Sequence, residues 1–381
     1  MAKQIFEVVL TGGTSGGKTS ALAVLRERFS EQGFRVLTVP EVATMLIGSG
    51  LDDIGDLAAA HDWYMQFEST MLTLMRDLRA RFNEIARSVP EEKVLIVYDR
   101  AEMDIRAYLD PQYFDALLEQ HRLSLHDVRD SYDGVIHMRT AALGAEQFYT
   151  TANNSARTET LEQARTLDEK TLQAWIGHPH LRVIDNSTDF QAKLSRVVQA
   201  ISRTVGVPVP LEIERKYHLP GAPDFTQPEF SGAQTVEIEQ IYLQSAPGEE
   251  VRVRKRTQKG QSTYYRTTKT LVRDGVRTEH EEIISARDYL DLQKLRDPGL
   301  ATVRKQRTCF VYNNQYFELD HVTEPGDLWL LEIELTEEND KVELPPSLRG
   351  AVEVTNDRRY GMGSIARSGV PKTKPGDIGL T

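Results

Sequence analysis

The sequence predicts two domains: an α/β unit built on a parallel P-loop sheet with flanking helices, then a unit dominated by antiparallel strands. Three observations carry this expectation. Short apolar strands alternate with helical stretches up to about residue 205, the grammar of a helix-covered parallel sheet. The run GVPVP (206–210) then breaks the last helix with one glycine and two prolines, which suits a linker. Beyond it, strand patterns follow one another with a single helical insert. A chain of 381 residues is also long for one core.

In the first domain, residues 1–205, the strands are IFEVVLTGG, FRVLTVPE, KVLIVYDR, DGVIHMR and LRVIDN. Helix periodicity runs through TSALAVLRERFSEQ, TMLTLMRDLRARFNEI and a last helix at about 189–204. In the second domain, residues 211–368, the strands are LEIERKYHL, VEIEQIYLQS, EVRVRKR, TYYRTTK, TEHEEIIS, ATVRKQRTCFVY, QYFELDHV and LWLLEIEL, with ARDYLDLQKLR as the helical insert. The tail, 369–381, is rich in Pro and Gly and reads as disordered.

Composition removes several function classes. A net charge of -11 opposes a general nucleic-acid binder. One cysteine, Cys309, allows neither a disulfide framework nor a thiolate zinc site and reads as a buried, inert thiol. The histidines show no metal spacing, and His178 and His180 read as structural. The start, MAKQIFEVVL, enters a strand without a secretory leader. No apolar run is long enough for a transmembrane segment, so the expected location is cytoplasmic.

The first candidate site is 12-GGTSGGKTS-20, which matches G-x-x-x-x-G-K-[ST] between a strand and a helix. Gly12, Gly13, Gly16 and Gly17, with Thr14 and Ser15 between them, let backbone N–H groups converge on the phosphates of ATP or GTP. Lys18 is placed to reach the β/γ-phosphates and Thr19 to hold Mg²⁺, with Ser20 closing the motif. Asp99 ends KVLIVYDR, where ligands sit in open α/β sheets. It is a candidate to orient Mg²⁺ or to act as base, against the plainer role of a helix cap. Glu41 ends FRVLTVPE in the same way. Arg139, Arg157 and Arg165 lie around a Gly/Ala-rich stretch suited to a lid, where arginines offset phosphoryl charge. Asp185-Asn186 ends another strand as a candidate neighbour of the base. Kinase, hydrolase and nucleotide-gated switch all remain open.

The second candidate site is spread over many strands. Arg252, Arg254 and Arg256 recur at every second residue, as do Arg277, Glu279 and Glu281, then Lys305 and Arg307, Glu318 and Asp320, Glu332 and Glu334. The opposite faces are apolar, for example Phe317 and Leu319 or Leu331 and Ile333. A wet outer face also alternates, but it has no need of strands that carry only acids or only bases. Like charges crowded on one face repel. A closed barrel with a charged lumen gathers both signs. Arg and Lys clusters suit phosphate and Glu clusters suit Mg²⁺ or Mn²⁺, so the pair points to a metal–polyphosphate ligand.

These residues resemble known families. The first half is similar to the AAA-type P-loop NTPases that are close to kinases. Its Asp-Arg and Pro-Glu strand ends look like those of nucleoside and ribosylnicotinamide kinases, which implies that Asp99 and Glu41 contact an acceptor or act as base. Glu212-x-Glu214-x-Lys216, followed in order by the Arg pair, Lys269, the Arg-x-Glu-x-Glu row, Lys305-x-Arg307, Asp320, the second Glu-x-Glu and VTNDRRYGMGSIA, is identified as the pattern of the CYTH, or triphosphate tunnel metalloenzyme, family. That resemblance implies an eight-stranded antiparallel β tunnel (α+β) that hydrolyses inorganic or organic triphosphates. It implies Glu212, Glu214, Glu318, Glu332 and Glu334 as metal ligands and Lys216, Arg252, Arg254, Lys269, Lys305 and Arg307 as phosphate contacts. Glu279, Glu281 and Asp320, with Glu318, would complete the acidic wall and position water. Gly361-Met362-Gly363 departs from the pattern and receives no role. The two-domain layout is similar to that of the TRPL translocation defect protein, which implies GTP binding and peripheral phosphoinositide contact. The alternatives are therefore a signalling module whose tunnel senses a phosphorylated ligand, and a CYTH-type adenylate cyclase.

Overall fold

The computed structural model describes residues 3–50, 61–149, 160–207, 213–273, 276–335, 340–372 and 375. The chain forms two compact units, Met1–Val205 and Gly206–Thr381. Most of the expected linker, and the end of the tail, lie outside the described residues.

The first unit holds a five-stranded parallel sheet of β1 (Gln4–Thr11), β2 (Phe34–Val39), β3 (Lys93–Asp99), β4 (Gly134–Met138) and β5 (Leu181–Ile184), in the order β2-β3-β1-β4-β5. All five expected strands are present. β3 is buried from Val94 through Tyr98, because a central parallel strand is covered on both faces and therefore reads as a continuous apolar run. The chain passes from β1 to β2 on one side and from β3 to β4 across β1. The crevice beyond the ends of β1 and β3 is thus the point where strand order reverses, the usual ligand position.

Helices α1 (Lys18–Glu31), α2 (Val42–Ile47), α3 (His61–Ser88), α4 (Pro111–Gln120), α5 (Leu161–Trp175) and α6 (Phe190–Thr204) belong to this unit. α3 begins earlier than its core pattern suggested, because Phe67, Met71, Leu72 and Met75 continue one buried face. α5 starts at a reciprocal capping box between Thr160 and Gln163, and the Asp189 side chain caps α6.

The second unit is antiparallel: β6 (Glu214–Leu219), β7 (Gln234–Leu243), β8 (Glu249–Gln258), β9 (Gln261–Arg273), β10 (Val276–Ile284), β11 (Val303–Tyr312), β12 (Gln315–Glu324), β13 (Leu328–Glu334) and a two-residue β14 (Val352–Glu353). The sheet order is β10-β9-β8-β7-β11-β12-β13-β6-β14. The eight expected strands are all found, and β14 adds a short ninth at the β6 edge. The helical insert is α7 (Ala286–Leu292), extended by a 3-10 turn.

The alternation sorts the two faces of this sheet. Tyr217, Phe310, Phe317, Leu319, Leu331 and Ile333 form one apolar cluster on one face. The face carrying Lys305, Asp320 and Glu332 bears the charges. Further along that same face the strands turn apolar: Val303, Val322, Leu328 and Leu330 pack with Tyr360, Met362 and Ile365. The last two belong to α8 (Met362–Ser368), so the Gly361-Met362-Gly363 stretch starts a helix that seals one end of the charged face.

Candidate functional site

In the first unit the P-loop joins β1 to α1. Its shape depends on glycine at two positions. Gly12 has φ of 130° and a Cβ there would lie 2.0 Å from the Met138 carbonyl oxygen; Gly17, the N-cap of α1, has φ of 94°. Both values are unfavourable for any residue with a Cβ. Lys18 is buried and rests on the Gly12 and Gly13 carbonyls at 3.3 Å each. Thr19 and Ser20 lie exposed in the first turn of α1.

Three side chains hold the loop from behind. Asp168, on α5, accepts from the Gly13 N–H at 2.7 Å and the Thr140 N–H at 3.1 Å while pairing with Arg139 at 2.9 Å. Burial alone would raise its carboxyl, but His137 and Arg139 hold it well below the usual range. Thr140 Oγ1 donates to the Thr14 carbonyl at 2.5 Å. Lys193, on α6, donates to the Gly16 and Arg139 carbonyls at 2.9 and 2.8 Å and to Asn186 Oδ1 at 2.7 Å. Burial brings its ammonium down to about 8. Neither Asp168 nor Lys193 carries a motif. Their only trace in the sequence is a charged residue on the buried side of a helix.

Asp99 is the register partner of Leu10, so the end of β3 faces the start of the P-loop. Burial raises its carboxyl, against the lowering effect of Lys18, and Oδ1 has no hydrogen-bond partner among the described residues. Glu41 pairs with Arg100 at 2.6 Å; burial opposes its ionisation, yet Arg100 and Lys18 hold it down at about 2. The two carboxyls are thus shifted in opposite directions, Asp99 up by burial and Glu41 down by Arg100 and Lys18. Arg139 belongs to the buried Asp168 pair, and Arg165 donates to the Ala142 carbonyl at 2.6 Å. Arg157 lies outside the described residues. Asp185 pairs with Arg196 at 2.9 Å, and Asn186 ties the Thr140 and Leu143 carbonyls. His178 is buried and driven down to about 3 by that burial, as a structural histidine should be.

In the second unit the charged rows converge. Strand pairing sets Glu334 opposite Glu214, Glu332 opposite both Lys216 and Glu318, and Lys269 opposite Glu279 and Glu250. Arg307 bridges Asp320 at 2.7 Å, Glu332 at 2.9 Å and Glu318. Lys216 bridges Glu332 at 3.0 Å and Glu214 at 3.2 Å. Lys305 meets Asp320 at 2.5 Å, and Arg254 meets Glu281 at 3.4 Å. Lys216, Arg252, Arg256, Lys305 and Asp320 are all under 10% exposed, so these charges point inward rather than into water. Burial would favour a neutral Glu332, but Lys216, Lys305 and Arg307 hold it far below the usual range. Burial and neighbouring Arg307 lower the Lys305 ammonium, against the pull of Asp320. Glu212 lies outside the described residues, as does the side chain of Glu279.

Residues 7–193 match the AAA domain family and residues 210–368 match the CYTH domain family. The chain is an AAA domain followed by a CYTH domain. No match was found among curated proteins. Among solved structures, an inorganic triphosphatase is 28% identical over 42% of this chain and 97% of its own, with a TM-score of 0.29. A protein of Pyrococcus horikoshii OT3 is 25% identical over 33% and 80%, with a TM-score of 0.26. A deoxyadenosine kinase from M. mycoides with bound dATP is 14% identical over 52% and 99%, with a TM-score of 0.35.

The acids of the CYTH domain do not form a ready-made metal cage. No three His, Cys, Asp or Glu side chains converge as one among the described residues, because Lys216 and Arg307 sit between the carboxylates. That donor set still fits Mg²⁺ or Mn²⁺. Such ions are usually held by one or two carboxylates together with substrate phosphates, and Glu214 and Glu334 face each other across the β6–β13 ladder. No helix among the described residues is long and apolar enough to cross a membrane.

Proposed function

We propose that the CYTH domain hydrolyses a triphosphate with Mg²⁺ or Mn²⁺, and that the AAA domain binds ATP or GTP and transfers or hydrolyses its γ-phosphoryl group. One observation carries the first half. Lys216, Lys305 and Arg307 are inward-facing bases whose partners are the acids Glu214, Glu318, Asp320 and Glu332. A lone anion entering this site would take the bases and strand the acids, which is costly at low dielectric. A metal–polyphosphate offers both signs: its phosphates take the bases and its cation gives the released carboxylates a counter-charge. This complementarity favours a metal–triphosphate over a bare phosphorylated headgroup.

In this reading Lys216, Arg252, Arg254, Lys269, Lys305 and Arg307 bind the phosphate chain. Glu214 and Glu334, with Glu212, Glu318 and Glu332, hold the cation, which would polarise phosphoryl oxygens as a Lewis acid. Asp320, Glu279 and Glu281 orient the attacking water and receive its proton. Glu281 itself is oriented by the Thr267 hydroxyl at 2.7 Å. In the AAA domain, the loop N–H groups and Lys18 hold the nucleotide phosphates, Thr19 holds Mg²⁺, and Asp99 acts as base.

The test is phosphate release from tripolyphosphate, ATP, GTP and thiamine triphosphate with each metal, by wild type, Glu214→Ala and Lys18→Ala. Tripolyphosphate hydrolysis should vanish in Glu214→Ala and persist in Lys18→Ala. Absence of phosphate release from every substrate by the wild type sinks the hydrolase reading.

A further inference from the structure

The P-loop is shaped by what stands behind it as well as by its glycines. The end of β4 and the residues after it lie against the loop: a Cβ on Gly16 would come within 2.8 Å of the Met138 carbonyl oxygen and 3.4 Å of the Arg139 carbonyl oxygen. From that side the contacts fall on successive peptides. The Thr140 hydroxyl donates to the Thr14 carbonyl at 2.5 Å, the Ala141 N–H to the Ser15 carbonyl at 3.4 Å, and the Lys193 ammonium to the Gly16 carbonyl at 2.9 Å. Asp168 behaves oppositely, as an acceptor, and takes the Gly13 N–H at 2.7 Å. Thr140, Lys193 and Asp168 are all buried.

Peptide planarity gives this pattern a consequence. In a planar trans peptide the C=O and the following N–H point in opposite directions. Donors that hold the Thr14, Ser15 and Gly16 carbonyls backward therefore turn the N–H groups of Ser15, Gly16 and Gly17 forward. Successive N–H groups turned to one side make an anion-binding concavity. An acceptor behind the loop does the reverse. Asp168 draws the Gly13 N–H backward and so turns the Gly12 carbonyl forward, where Lys18 Nζ rests on it at 3.3 Å. Whether a peptide offers its N–H or its carbonyl to the ligand side is thus decided by the chemistry of the group behind it.

We propose that Thr140 and Lys193 are positioning residues for nucleotide binding, which aim the Ser15 and Gly17 N–H groups at the phosphates through one peptide plane each. The proposal rests on nucleotide binding at the P-loop. Lys193 adds a pH dependence. Its ammonium divides three N–H groups among the Gly16 carbonyl, the Arg139 carbonyl and Asn186 Oδ1. Burial lowers it to about 8; Arg196 and Lys18 act in the same direction, and Asp168 and Asp185 oppose them. A neutral amine has two N–H groups for those three acceptors, so the hold on Gly16 weakens as pH rises through about 8.

The experiment measures binding of a fluorescent ATP analogue with Mg²⁺ to the full chain, counting only the signal that Lys18→Ala removes. Thr140→Val keeps the side-chain volume and loses the hydroxyl, whereas Thr140→Ser keeps the hydroxyl and loses a methyl. Affinity should fall about tenfold in Thr140→Val and in Lys193→Met, and stay within about threefold of wild type in Thr140→Ser. A role in packing alone predicts the opposite order, with Ser worse than Val, and that order overturns the assignment of Thr140. Thermal melting checks that each variant folds. Between about pH 7 and 9, where the nucleotide phosphates are already ionised, wild-type affinity should decline and that of Lys193→Met should not. Wild-type affinity that stays constant across this window overturns the assignment of Lys193, with no variant needed. Undiminished binding in folded Thr140→Val and Lys193→Met overturns the proposal and leaves the P-loop reading standing. A wild type with no binding signal that Lys18→Ala removes overturns both.

Discussion

The P-loop and the charged face of the CYTH domain differ in where their charge comes from. The P-loop is contiguous: residues Gly12–Thr19 supply backbone N–H groups, and two positive-φ glycines set their direction. Only Lys18 brings a full charge, and it rests on neutral carbonyls. The charged face is assembled from many strands, and its bases are already engaged by acids. A backbone cradle stays preorganised when empty because peptide dipoles cost little to leave facing water. A ring of side-chain charges collapses onto its own counter-charges, so ligand binding there is an exchange of partners. The empty P-loop should therefore tolerate loss of the charge that faces its ligand, as long as Asp168 and Lys193 brace it from behind, whereas the tunnel should not.

The sharpest way to break this comparison is Arg307→Ala. It takes one base from Glu318, Asp320 and Glu332 at once, leaving Asp320 with Lys305 and Glu332 with Lys216. Triphosphate hydrolysis should fall by about 100-fold to 1,000-fold, and the second unit should lose about 3–5 kcal/mol in urea unfolding. A variant with wild-type stability would mean that the pairs do not carry the fold of that face.

Lys18→Ala comes next. Nucleotide turnover at the AAA domain should drop about 100-fold, with a smaller loss of stability than in Arg307→Ala, since Glu41 keeps its Arg100 partner and Asp99 can take up a proton. Parallel loss of tripolyphosphate hydrolysis would contradict two separable sites. Metal dependence sharpens the tunnel side further. Chelation should stop hydrolysis reversibly, and Glu334→Gln should raise the Mg²⁺ concentration needed for half-maximal rate by about tenfold (one of two carboxylate ligands weakened). An unchanged requirement would remove Glu334 from the metal set.

The smallest expected effect is a pH dependence in the AAA domain. Glu41 is lowered from 4.5 to about 2 by Arg100 and Lys18, against burial. Its stabilisation is therefore complete above pH 4.5 and is lost as pH falls through about 2. Glu41→Gln should cost about 1–2 kcal/mol at neutral pH, and the gap from wild type should close across that acid window. A gap that stays constant down to pH 2 would show that Glu41 acts there through shape rather than charge.

Much of this was legible before folding because periodicity is local. The five parallel strands showed as apolar runs, and the antiparallel ones as alternating rows. Lys216, Arg252, Lys305 and Asp320 stood out as charges repeated on one face. The partners of those charges were not legible. Nothing in the spacing says that Arg307 serves three acids on β12 and β13, or that Lys216 stands between Glu214 and Glu332. The implied set of glutamate metal ligands consequently missed that bases separate its members. Asp168 and Lys193 were passed over for the same reason. Each is one charged residue on a helix, and only packing buries it.

By itself, the sequence determined the order of elements, the P-loop with its obligatory glycines, and which strand face is charged, since each depends on neighbours one to four residues away. The tertiary structure alone decided that the charged face is turned away from water, that α8 closes one end of it, and which acid meets which base. Those outcomes depend on contacts between residues far apart in the chain, where burial lowers the dielectric and makes pairing compulsory.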